Sequence, residues 1–282
     1  AGAWPWRMEK RGEREEFLER MQQYMTKALS EAKVNLSWTN PNPAYVDAVH
    51  AFMRAILMPD ARGREPRFVE TMEEILPALR LFGGVNSLAQ AVLKITSPGV
   101  PDFYQGTELW DLSLVDPDNR RPVDYERRRR ALEGLKEEAT SQGELAVCRE
   151  VLDRLGDGRV KLWTVHRALE LRNRMAETFQ RGEYVPVDVT KEEAEHVIGF
   201  SRGGRVLAVV PRLAHTLMDG KARLPLGHAW GRGELVVPEM AGAALENVFT
   251  GELLRVEADG RLPLRTVFGE FPVALLAVNS EQ

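Results

Sequence analysis

The sequence predicts an α+β fold, helical over roughly its first two thirds and closed by a small antiparallel β domain. Apolar residues recur at helical spacing up to residue 181. After Gly182, short β-favouring runs alternate with Gly, Pro and Asp turns. Between helical stretches lies a segment over 97–125 with no internal period. Loops of that length are uncommon in compact domains and are usually functional or disordered. Three parts are therefore expected: 1–96, 97–181 and 182–282.

The first helix is expected over 13–33, where Phe17, Met21, Tyr24, Met25, Ala28 and Leu29 form one apolar stripe. The run NLSWTNPNP then breaks the period with turn formers, and a structured loop is expected. A second helix should begin at Pro43 with Asn42 as its cap, burying Val46, Val49, Phe52, Met53, Ile56 and Leu57. A third is expected over 66–81, ended by Gly83-Gly84. A fourth should start at Asn86 or Ser87, carry Leu88, Val92 and Leu93, and stop before Ser97. Beyond the loop, helices are expected over 124–138, 144–155 and 159–181. Strand-like runs lie at 184–189, 196–202, 205–213, 233–238, 246–251 and 271–278, a pattern that suits a sandwich or a barrel.

Composition excludes more than it selects. A net charge of −4 gives no global reason to expect nucleic acid, which needs a concentrated basic face. The run Arg127–Arg130 follows Asp124 and Glu126 at a helix start and reads as a solvated face. Cys148, the only cysteine, cannot form an intrachain disulfide and sits on an apolar stripe as a packing thiol. The five histidines lack metal-ligand spacing, so neither metal nor cofactor is expected, and His166 reads as an ordinary helix histidine. GDG at 156–158 and RGG at 202–204 read as turns, not phosphate loops. No apolar run approaches the ~20 residues that span a bilayer, and the charged N-terminus lacks signal-peptide architecture. The expectation is a cytoplasmic protein with neither membrane nor nucleic-acid partners.

The loop carries the chemistry. Phe103, Tyr104, Leu109, Trp110, Leu112 and Leu114 are too apolar a set for disorder. They are interleaved with Asp102, Gln105, Glu108, Asp111, Asp116, Asp118, Asn119, Arg120 and Arg121. Aromatic faces beside carboxylate, amide and guanidinium groups suit a sugar, whose ring has an apolar face and whose hydroxyls both donate and accept. The same residues also fit an ordered loop held by its own ion pairs, with Arg120 and Arg121 meeting Asp116 and Asp118. Trp38 is equally consistent with sugar stacking and with loop anchoring.

The string GVPDFYQGTE resembles the motif at the end of the eighth barrel strand in the α-amylase superfamily, through Gly99, Pro101, Tyr104, Gly106 and Glu108. DLSLVDPDNRRPVDY resembles the form this loop takes in maltooligosyltrehalose synthases. VNLSWTNPNPAYVDAV is similar to their helical insert, and RVKLWTVHRALELR with FPVALLAV to their closing helix and C-terminal sheet. The resemblance implies the helical insert and last strand and helices of an incomplete (β/α)8 barrel, followed by the antiparallel β domain. It implies an enzyme that converts the reducing-end α-1,4 bond of a maltooligosaccharide into an α,α-1,1 bond. Tyr104, Gln105, Glu108, Asp116, Asp118, Asn119, Arg120 and Arg121 are the candidate sugar-binding residues. Tyr104 would pack near the cleft floor and Glu108 would brace the loop, while the charged residues of 116–121 would line reducing-end subsites.

The superfamily's three catalytic acids precede this motif, one of them in a His-Asp pair. Here Ala51, Arg167, Val197, Thr216 and Ala229 follow the five histidines, and no His-Asp pair occurs. The chain is therefore expected to carry no catalytic acid. Its partners should be the maltooligosaccharide and the missing N-terminal part of the same enzyme. Another hydrolase or glucanotransferase of the superfamily, or a non-catalytic module binding glucan or a partner, remains the alternative.

Overall fold

A computed structural model describes residues 2–6, 11–190 and 192–278. They form an α+β chain that divides into two compact units, one of residues 1–79 with 111–123, the other of 80–110 with 124–282.

In the first unit, α1 (Arg11–Ala32) and α2 (Pro43–Leu57) lie against each other. The second helix starts as its sequence dictates, with Pro43 at the first position and the Asn42 side chain accepting the Tyr45 N–H at 3.2 Å. Phe17, Leu18, Met53, Leu57, Val69, Met72 and Leu76 bury together with Trp4. Phe52 departs from the expected stripe and is 62% exposed. The buried line runs through Met53 and Leu57, four residues apart, and Phe52 falls on its flank.

The two helices expected over 66–96 are one, α3 (Arg67–Thr96), which continues through Pro77 and Gly83-Gly84. Each glycine costs a helix about 1 kcal/mol. The fully buried Val85, Leu88, Val92 and Ile95 on the same helix outweigh that. Gly84 also leaves room for the Trp110 ring, which a Cβ would meet at 3.6 Å. By length and composition alone α3 could cross a membrane, but Leu88, Val92 and Ile95 belong to a packed protein core.

The second unit adds α4 (Tyr125–Gln142), α5 (Glu144–Asp153), α6 (Arg159–Arg174) and α7 (Ala176–Arg181). The helix expected over 159–181 is thus divided at Met175, whose backbone leaves the helical region (φ −111°, ψ 40°). Among the described residues nine short strands follow, from β1 (Tyr184–Pro186) through β3 (Val197–Arg202), β4 (Val206–Pro211) and β6 (Ala244–Asn247) to β9 (Ala274–Val278). One antiparallel sheet has the order β1-β3-β4-β9-β6-β7, with β7 at Leu253–Arg255. A second has the order β2-β5-β8, formed by Asp188–Val189, Glu234–Val236 and Arg261–Pro263. The strands at Leu253–Arg255 and Arg261–Pro263 are only three residues long, too short to leave an alternating pattern in the sequence.

The period of two along β4 divides the cores. Val206, Ala208 and Val210 join Leu88, Val151, Trp163 and Ala168 of the helices. Leu207 and Val209 face Leu235 and Leu262 of the second sheet. Of the two architectures left open for the β domain, the structure is the sandwich, with helices covering its other face. Cys148 is fully buried and its Sγ lies 3.1 Å from the Phe249 carbonyl oxygen. Burial pushes its thiol far up, so it stays protonated and unreactive.

Candidate functional site

The loop leaves α3 through a gripped helix end. The last carbonyls of a helix have no intrahelical partner and carry the negative end of its dipole. Arg172 donates to the Ile95 and Gly99 carbonyls, and the buried Arg202 donates to Thr96 at 2.7 Å. No strand forms between residues 97 and 123, where the barrel strand was expected. Strand backbone needs a neighbouring strand for its hydrogen bonds. This segment instead satisfies itself through turns and side chains, such as the Thr107 N–H and hydroxyl, which both donate to the Tyr104 carbonyl.

Within the second unit, Arg128 of α4 organises the loop. Its Nε donates to Glu108 at 2.9 Å, its Nη2 to the Gly106 carbonyl at 2.6 Å and its Nη1 to the Asp124 carbonyl at 3.0 Å. Glu108 therefore braces the loop through a guanidinium. The expectation of a solvated face fails at Arg128, which nothing in the run Arg127–Arg130 singles out. Trp110 closes the turn by donating its indole N–H to the Leu155 carbonyl at 2.6 Å. Tyr104 stands half-exposed on the wall of a cleft of about 280 Å³ shared with Gln90, Lys94, Phe103 and Thr107. The Lys94 ammonium sits 3.9 Å from the Phe103 ring centroid. Gln105 is exposed and makes no hydrogen bond among the described residues. In the Arg128→Ala variant, Glu108 loses its charged partner and the 104–108 turn should loosen. A stability loss of about 1–2 kcal/mol in denaturant titration is expected, and a loss below about 0.5 kcal/mol would remove the bracing role.

Asp116, Asp118, Asn119, Arg120 and Arg121 lie in the first unit, so the eight candidates form two groups. Asp118 is fully committed to the fold. Arg20 of α1 grips it with Nε and Nη2, both at 2.9 Å, and the Leu114 N–H donates to it at 2.6 Å. Arg121 adds an ion pair at 3.2 Å. Burial by itself would raise this carboxyl, but the Arg20 and Leu114 donors and the two cations outweigh it and hold it below the usual carboxylate range. Asp118 was expected to line a sugar subsite; its oxygens are instead taken, and it anchors the loop. Arg20 also donates to the Leu112 carbonyl, a role that its place in the middle of a helix gave no reason to suspect.

Asp116 pairs with Arg120 at 2.5 Å and with Lys27, whose ammonium also donates to the Asp116 carbonyl at 2.7 Å. The Arg120 side chain remains 72% exposed, free to meet a ligand while its Nε stays held. Arg121 bonds the Asp118 carbonyl and the Ser113 hydroxyl. Asn119 keeps a buried Oδ1 with no partner among the described residues. Asp116 and Pro117 also face a cleft of about 730 Å³ along α1. The loop is thus an ion-paired scaffold that leaves a few side chains, chiefly Tyr104, Gln105 and Arg120, directed outwards.

The same fold is found in solved enzymes. A maltooligosyltrehalose synthase from Arthrobacter ramosus superposes with a TM-score of 0.76 at 32% identity, over 98% of this chain and 31% of its own. The chain matches the C-terminal portion of the maltooligosyltrehalose synthases. A second solved maltooligosyl trehalose synthase gives a TM-score of 0.68 at 28% identity, over 94% of this chain and 30% of that one. A Mycobacterium tuberculosis relative, provisionally named a maltooligosyl trehalose synthase, is 33% identical over 257 residues. The match takes in 91% of this chain but 28% of that relative's length, so the chain spans less than a third of the synthase it resembles. No family model matches the chain.

Proposed function

We propose that this chain is the part of a maltooligosyltrehalose synthase that helps to hold the reducing end of the substrate. The single observation that carries the reading is the match to a solved synthase over 98% of the chain. In the complete enzyme, with neighbouring strands to pair with, the backbone ahead of Tyr104 would supply the eighth strand, and the loop would follow it at the face where such barrels keep their active sites. The acids that break the bond would come from the sequence outside this chain.

The reaction is an intramolecular transglucosylation, formally an isomerisation. The bond from C1 of the penultimate glucose to O4 of the last one breaks, and O4 takes a proton from the acid. The glucosyl C1 is held as a covalent ester on the nucleophile. The released glucose turns without leaving, and its anomeric hydroxyl attacks C1, breaking the ester bond so that the nucleophile leaves as a free carboxylate, and returning the proton to the base. No water is consumed. Retaining glucose and excluding water separate this outcome from hydrolysis. The exposed guanidinium of Arg120, fixed through Asp116, suits the holding role, and Tyr104 and Gln105 suit contact with a sugar face and its hydroxyls. A maltooligosaccharide substrate and a cytoplasmic setting complete the reading.

Product analysis with maltopentaose tests it. The complete enzyme should remove reducing power without shortening the chain, whereas a hydrolase or glucanotransferase would change chain length. Residues 1–282 alone should show no turnover. Arg120→Ala in the complete enzyme should raise glucose release relative to trehalose-end formation about fivefold, a partition change of about 1 kcal/mol. An unchanged ratio removes Arg120 from the role.

A further inference from the structure

One side of α1 carries a polar row. Glu19, Gln23, Lys27 and Glu31 are four residues apart, so they stack along one face over ~18 Å at 1.5 Å per residue. They line the 730 Å³ cleft, together with Trp38, His50 and the Asp116–Pro117 step. The polar groups nearest the floor are already satisfied by one another. Thr26 Oγ1 lies 2.9 Å from His50 Nε2, and Gln22 donates to the His50 carbonyl at 3.2 Å. Lys27 is held by Asp116. By contrast, Glu19 and Gln23 are exposed and have no side-chain partner among the described residues.

Trp38 is the feature that packing does not explain. It is 60% exposed, yet it is not loose. The turn beneath it is closed twice, by Ser37 N–H to the Asn40 carbonyl at 3.0 Å and Asn40 N–H to the Ser37 carbonyl at 3.2 Å. The Ser37 hydroxyl accepts the Asn40 N–H as well, at 3.0 Å. The indole N–H donates to Glu31 at 2.9 Å, which fixes the ring at the end of the polar row. A large aromatic face held rigidly in water forgoes the stabilisation that burial would give it. Stacking against a ligand with one apolar face recovers that.

The charges choose the ligand class. Glu19, Glu31 and Asp116 outnumber Lys27, so phosphorylated and other anionic ligands are disfavoured. Glu31 and Asp116 are already engaged, and a single aromatic is not the cage that an organic cation selects. An elongated row of amide, ammonium and carboxylate groups ending on an aromatic platform suits a neutral chain of sugars. We propose that this cleft binds the glucose units of an α-1,4-glucan, with Trp38 as the stacking platform and Gln23 and Glu19 as hydroxyl partners. The proposal rests on the glucan-processing function above and adds a binding site on α1 to it.

The probe is reduced maltoheptaose, a linear glucan whose terminal glucitol has no anomeric centre and so cannot enter the transglucosylation. It is titrated into the 282-residue chain with intrinsic tryptophan fluorescence and calorimetry as readouts, beside reduced cellohexaose, choline and inorganic phosphate. The expected result is saturable binding of reduced maltoheptaose, weakened at least tenfold by Trp38→Ala and about threefold by Gln23→Ala. Trp38→Phe should retain most of it. Should Trp38→Ala not fold, as judged by circular dichroism, Gln23→Ala carries the test. The proposal is overturned if the unaltered chain does not bind the probe, if Trp38→Ala or Gln23→Ala binds it as tightly as the unaltered chain, or if choline or phosphate binds in its place. Binding with no trehalose-end formation by the complete enzyme would instead overturn the reaction assigned above and leave this site standing.

Discussion

Arg202→Met is expected to destabilise the second unit by about 3 kcal/mol or more. Arg202 is 1% exposed and has no carboxylate partner among the described residues. Its guanidinium donates to the Thr96 and Phe179 carbonyls at 2.7 Å and to Gly182 at 3.1 Å, closing the ends of α3 and α7 together. Burial, and then the nearby charge of Arg172, lower its pKa from the ordinary arginine value, but no arginine in a protein loses its proton. Replacing a buried ion pair by an apolar residue is often neutral, because both charges leave together. Here the acceptors are backbone carbonyls and cannot leave. Methionine would fill much of the volume but strand three acceptors and two helix dipoles, each hydrogen bond to the charge being worth about 1.5 kcal/mol or more. Arg202→Lys should fall between the two, since one ammonium cannot reproduce the planar fork. Urea unfolding followed by tryptophan fluorescence measures the loss. A change below about 1 kcal/mol for Arg202→Met would mean that the helix ends do not need this cation.

The second large effect is expected at Gly158, on the turn that supports Trp110. Its φ of +83° is left-handed, a conformation that costs a residue with a Cβ about 1–2 kcal/mol. The added methyl would also lie 2.8 Å from the Trp110 nitrogen and 3.2 Å from the Leu109 Cβ. Neither backbone nor buried neighbour yields easily, so overpacking should add about 1–3 kcal/mol. Gly158→Ala is therefore expected to cost about 2–4 kcal/mol and to weaken the Trp110 to Leu155 hydrogen bond. Gly204→Ala is the control, because Gly204 also has a positive φ, +61°, but no atom within 4 Å of an added Cβ. If both variants melt alike, the close packing of Trp110 on this turn contributes nothing.

Helices at both ends of the loop were legible because their apolar residues keep a period and their starts are capped by Asn42 and Asp124. The exposed Phe52 and the unbroken α3 were not, because a helical period gives the direction of a stripe but not its width, and glycine's cost is small beside buried leucine and valine. The candidate site was half legible. Glu108, Asp118 and Asp116 stood out by chemistry and motif, while their partners Arg128, Arg20 and Lys27 lie 20 to 98 residues from the groups they hold and leave no local mark.

By itself, the sequence determined the class of fold, the place of the loop, the absence of a His-Asp pair and the likeness to the synthases. These follow from residue type, local spacing and motif, which the chain carries wherever it folds. Only the tertiary structure decided which charges are free for a ligand. Asp118 and Arg120 are equivalent as letters, yet one carboxylate is filled by Arg20 and Leu114 while one guanidinium remains mostly in water. Availability depends on partners brought close in space, and spacing along the chain does not encode it.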